Sequence, residues 1–125
     1  MSEGSPITDV DVVGLPSPIA ADLFEASTCC CAGAYRAAAL VARRAVEQAV
    51  VMRGVPLDMK TLHQKLVWLL KSGYLPAELA GAARTVRDVG NAASHGAEAV
   101  TRDEANAMVV ASLAGVRRAL PTASG

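Results

Sequence analysis

The sequence predicts an all-α protein, an antiparallel bundle of four to five helices, on three observations. About one residue in five is alanine, the strongest helix former, and only 3% are aromatic. Apolar residues recur at helical spacing, and a strand-like pattern is confined to Val10–Val13. Capping residues, glycines and prolines divide the helical stretches with short connections between them. With 125 residues the chain holds one core and not two.

Residues 1–16 contain Gly4, Pro6, Gly14 and Pro16 without helical period, which predicts a flexible N-terminal arm. The helical bundle domain is expected over 17–121, with 122–125 as a C-terminal tail. Ser17 reads as the cap and Pro18 as the first position of a helix that ends at Ala32 or Gly33. Leu23, Phe24 and Ala26 supply its apolar side.

The second helix is expected from Ala34 to Arg53, stopped by Gly54 and Pro56. Tyr35, Ala38, Ala42, Val46, Ala49 and Val50 make one stripe, and Leu40, Val41 and Val51 lie off it. A helix apolar on most of its circumference is covered on more than one side, and a second copy of the chain is one such cover. That excess predicts a homodimer.

Thr61 caps a third helix over Leu62–Ser72, with Leu62, Leu66, Leu69 and Leu70 inward, Trp68 at an edge and Gly73 as the stop. The fourth helix is expected from Pro76 to about Ser94, weakened by Gly81 and Gly90 at about 1 kcal/mol each relative to alanine. Thr101-x-x-Glu104 is a capping box that opens the last helix. That helix runs to Leu120 before Pro121, with Arg117 and Arg118 at its negative end.

Twelve basic residues balance twelve acidic ones, which argues against a broad electrostatic grip on nucleic acid or an anionic membrane. The apolar runs are far short of the roughly 20 residues of a membrane span, so no membrane association is expected. Ser2–Asp11 carries acids and no positive leader region, which predicts a cytoplasmic protein. Cys29, Cys30 and Cys31 are contiguous, so on a helix they point about 100° apart and cannot converge on one metal. They read as packing thiols. With no metal-ligand cluster and no glycine-rich phosphate loop, neither a metal nor a cofactor is expected.

One constellation carries chemistry. Arg87, Asn91 and His95 are spaced i, i+4, i+8, so a guanidinium, an amide and an imidazole line one helix face. The set suits phosphate: arginine forks onto phosphate oxygens, asparagine orients a hydroxyl, and histidine moves protons near neutral pH. Read structurally instead, His95 meets the negative end of its own helix and Asn91 bonds a nearby carbonyl. Glu47 stands among apolar neighbours and needs a partner, for which Arg43, Arg87 and His95 are the candidates. His63 reads as an exposed surface residue.

The runs Ala34-Tyr35-Arg36-Ala37-Ala38-Ala39, Arg43-Arg44-Ala45-Val46-Glu47 and Gly90-Asn91-Ala92-Ala93-Ser94-His95 resemble domain-of-unknown-function family 4145. That family is similar in turn to the HEPN superfamily of small helical bundles, and the resemblance spans Pro16 to Leu120. It implies a HEPN-like bundle that pairs as a homodimer in a bacterial defence or phage-conflict setting. Active HEPN members cleave RNA without metal, using an arginine and a histidine across the dimer. Carried over, His95 matches that histidine and Asn91 the polar residue, while the position of the arginine is occupied by Gly90. Two functions follow as expectations. One is a non-catalytic dimeric module that binds a protein partner or a nucleotide-like ligand. The other is a metal-independent ribonuclease in which His95 takes the proton, Arg87 stabilises the phosphate, Asn91 positions the hydroxyl and Glu47 orients one of them.

Overall fold

The computed structural model describes residues 4–96 and 99–120, so the expected tail 122–125, the stop at Pro121 and the first three residues of the arm lie outside the described residues. Among the described residues five α-helices build a bundle: α1 (Ser17–Cys31), α2 (Tyr35–Met52), α3 (Leu62–Lys71), α4 (Ala80–His95) and α5 (Arg102–Ala119). Among the described residues there is no strand; Val10 and Val12 belong to a short 3-10 turn over Asp9–Val12.

The caps act where their residue types place them. Thr61 accepts from the Gln64 amide while the Gln64 side chain returns to the Thr61 amide, and Thr101 and Glu104 do the same at α5. Those Thr101 bonds hold the Glu104 carboxyl below its ordinary range. α4 begins later than the sequence predicts. Pro76 adopts an extended backbone and caps a 3-10 turn over Ala77–Leu79, and the α-helix starts only at Ala80. From there it runs unbroken through Gly81 and Gly90, and stops at Gly96, whose φ of 66° is left-handed.

α2 is the centre of the bundle and touches the other four helices. Its small residues Ala38, Ala39, Ala42, Ala45 and Ala49 are buried and allow this close approach, with Val46 and Val50 filling between them. Much of the apolar excess that suggested a second copy is therefore covered within the chain. Ile19, Leu23, Leu62, Met108 and Val109 complete the core. Trp68 is half-buried and packs on Tyr74, with ring centroids 5.5 Å apart, and the Arg53 guanidinium lies 4.5 Å over the Tyr74 ring.

The arm expected to be flexible packs on the bundle from Ile7 onward. Ile7 and Leu15 are buried, and Ser27 Oγ donates to the Ile7 carbonyl at 3.4 Å. A period-based reading misses this because two apolar anchors eight residues apart make neither a helix nor a strand pattern. The three cysteines point different ways, as helical spacing requires: Cys30 is buried, Cys29 half-buried and Cys31 exposed. Burial pushes the Cys30 thiol up to about 11, with Cys31 and Cys29 adding to the shift, so it stays a neutral packing group.

Candidate functional site

α4 is one continuous helix, so Arg87, Asn91 and His95 do share a face, Arg87 and Asn91 half-buried and His95 exposed. The face does not converge on one point. At 1.5 Å per residue the backbones of Arg87 and His95 stand about 12 Å apart. The Arg87 Nε donates to Asp88 Oδ1 at 2.8 Å, and the side chain lines a groove between α3 and α4 together with His63 and Arg84. The Asn91 and His95 side chains have no hydrogen bond among the described residues.

The end of α4 is instead satisfied from α2. A helix C-terminus leaves carbonyls without intrahelical partners and carries partial negative charge, which suits guanidinium donors. Arg36 Nε donates to the Ala93 carbonyl at 2.8 Å. Arg43 Nη1 donates to the Gly90 carbonyl at 3.3 Å and to Ser94 Oγ. A Cβ on Gly96 would stand 3.0 Å from Arg36 Nη2, so glycine there both permits the left-handed turn and leaves room for the arginine. Asn91 and His95 are the partners expected from the sequence for these carbonyls, but the arginines of α2 hold them because α2 lies directly against α4.

Glu47 meets neither Arg87 nor His95. Its two oxygens accept from Arg43 Nε and Lys65 Nζ, each at 3.3 Å, and its side chain is 33% exposed. The expected Arg43 pairing is present, but burial is only partial, because Lys65 of α3 reaches the carboxylate at the bundle edge. The chain Lys65–Glu47–Arg43–Gly90 thus ties α3, α2 and α4 together. It positions helices, and Glu47 reaches α4 only through Arg43.

Two features escaped the sequence reading. Asp22 of α1 is 7% exposed and accepts from Arg44 Nε at 3.0 Å, Arg44 Nη2 at 2.7 Å and Gln48 Nε2 at 2.7 Å. The available signal was its place in the apolar stripe Ile19, Leu23, Ala26, where an acid needs a partner from the next helix. The second is the groove itself, which gathers His63, Arg84 and Arg87 from helices whose adjacency the sequence does not state.

Among the described residues no group of three or more histidine, cysteine, aspartate or glutamate side chains is placed to hold a metal ion. No helix among them is long and apolar enough to cross a membrane. A family model described as Domain of unknown function (DUF4145) matches residues 24–120. No curated protein and no solved structure matches the chain.

Proposed function

This chain belongs to the DUF4145 family, and from that premise we propose that it is a non-catalytic, dimeric, HEPN-like antiparallel bundle that binds a protein partner. It acts in the cytoplasm, in a bacterial defence or phage-conflict setting. The observation that carries the reading is how the polar groups around the end of α4 are committed. Arg36 and Arg43 are bonded to helix carbonyls, Arg87 to Asp88, and Glu47 to Lys65 and Arg43. Ribonuclease chemistry needs a guanidinium and a general base aimed at one phosphate, and here they stand two turns apart on one helix.

One observation favours the ribonuclease as a second reading. The His95 side chain is exposed and, with that of Asn91, free of hydrogen bonds among the described residues, so both are accessible to a ligand or to a second copy.

The dimer rests on an apolar corner where α2 ends and its following loop begins. Val51 is 67% and Leu57 91% exposed, and both line one depression with Val55, an apolar surface that a monomer leaves wet. Light scattering at micromolar concentration is expected to give about twice the 12.8 kDa chain mass. A Val51→Asp/Leu57→Asp variant is expected to give the single-chain mass with its helix content kept. A wild-type mass equal to one chain would overturn the dimer.

A further inference from the structure

α3 presents two adjoining depressions to solvent. One, of about 170 Å³, lies between α3 and α4 over Leu66, Val67 and Leu70, with His63, Arg84 and Arg87 at its sides. The other, of about 380 Å³, lies on the opposite flank of α3 over Met59, Val67 and Trp68, with His63 and Lys71 at its sides. They share His63 and Val67, so an occupant that fills both crosses α3 at that pair. Among the described residues no carboxylate lines either depression. Asp88 neutralises Arg87, but Arg84 and Lys71 are exposed and have no ion pair among the described residues. In a chain whose formal net charge is zero, this is a local excess of positive charge around an apolar floor.

We propose that these depressions form a docking surface for an acidic, amphipathic helical segment of a partner protein. The claim rests on the binding-module reading above and names its surface and the chemistry it recognises. The apolar floor supplies burial, and the two unpaired cations at its rim select acidic over basic flanks. An occupant that crosses α3 at His63 and Val67 reaches Arg84 on one flank and Lys71 on the other, so both cations meet the same segment. Two unpaired cations fit a segment with a few carboxylates better than a nucleic acid strand, whose binding rests on many phosphate contacts.

The test uses the full chain and a fluorescein-labelled synthetic peptide of about four helical turns, built from leucine, alanine and glutamate with its leucines on one face. Comparison probes are the same composition reordered to abolish that face, the peptide with lysine for glutamate, and a labelled single-stranded RNA. Fluorescence anisotropy reads binding, and the emission of Trp68, the sole tryptophan, reports occupancy of the larger depression. The wild type is expected to bind the acidic amphipathic peptide, shift Trp68 emission, and bind the reordered and basic peptides at least about tenfold more weakly. A Lys71→Glu/Arg84→Glu variant is expected to lose at least about tenfold in affinity with an unchanged melt. Should that variant melt early, Lys71→Gln/Arg84→Gln is measured in its place and is expected to weaken binding in the same direction.

Absence of binding up to about 100 μM peptide, a dissociation constant above which the affinity is weaker than about 5.5 kcal/mol, overturns the proposal. So does equal binding by the reordered peptide or by the charge variant. RNA binding that the charge variant abolishes would assign the surface to nucleic acid and overturn it as well. RNA cleavage or a single-chain mass, with peptide binding intact, would remove the non-catalytic or dimeric reading and leave this surface standing.

Discussion

Replacing Gly90 by arginine, which would add a guanidinium one residue before Asn91, is expected to unfold the protein rather than to create activity. Gly90 is buried in the middle of α4. A Cβ there would stand 3.1 Å from Leu62 Cδ2, 3.5 Å from Met108 Cε and 3.6 Å from Arg43 Cδ. Its side-chain direction therefore leads into the junction of α3, α5 and α2, where Leu62 is 1% and Met108 0% exposed. An arginine must either displace those side chains or bury its charge beside Arg43. Overpacking and an unpaired buried cation together are expected to cost about 4 kcal/mol or more, a loss of more than about 10 °C in Tm. Gly90→Ala is the control. Its gain in helix propensity, about 1 kcal/mol, opposes the tight contact with the Leu62 methyl, so a folded protein with a small Tm change is expected. Thermal denaturation followed by circular dichroism decides, and a Gly90→Arg protein that melts with the wild type would contradict this packing.

Asp22→Ala is expected to lower stability by about 1–3 kcal/mol, because the carboxylate is the shared acceptor that joins α1 to α2. Its loss removes both Arg44 bonds and leaves the half-buried Gln48 amide without its acceptor. Arg44→Gln is expected to be milder. The Arg44 side chain is 59% exposed, so water takes its place on the carboxylate, whereas nothing replaces the carboxylate itself. Urea melts of the two variants check the order, and an Asp22→Ala midpoint equal to the wild type would overturn it.

The elements that the sequence makes legible are those governed by local chemistry. Thr61 and Thr101 start helices, and Gly33, Gly54 and Gly73 stop them with φ near +80°, each within reach of a short window. The inner faces of α3 and α5 likewise follow from spacing, since Leu62, Leu66 and Leu69, and Met108, Val109 and Val116, are all buried. The polar partners are not local. Lys65 for Glu47, Arg43 for the Gly90 carbonyl, and Arg44 for Asp22 each join different helices, and the choice depends on which helices lie side by side. Placing Arg87, Asn91 and His95 on one face was within reach of the sequence. That Arg87 turns to Asp88 and the α3 groove was not, because the groove takes its other wall from α3 and only the packed helices bring that wall to Arg87.

If the polar residues around the end of α4 hold helices together and do not cleave RNA, the wild-type protein leaves RNA intact. The most direct measurement incubates the wild-type protein and His95→Ala with an end-labelled single-stranded RNA in the presence of a metal chelator, alongside the melts of both proteins. Intact RNA with either protein and equal melts are expected, since the His95 side chain is exposed and holds no hydrogen bond among the described residues. Cleavage by the wild type that His95→Ala abolishes at an unchanged melt would contradict the claim and make His95 a catalytic group.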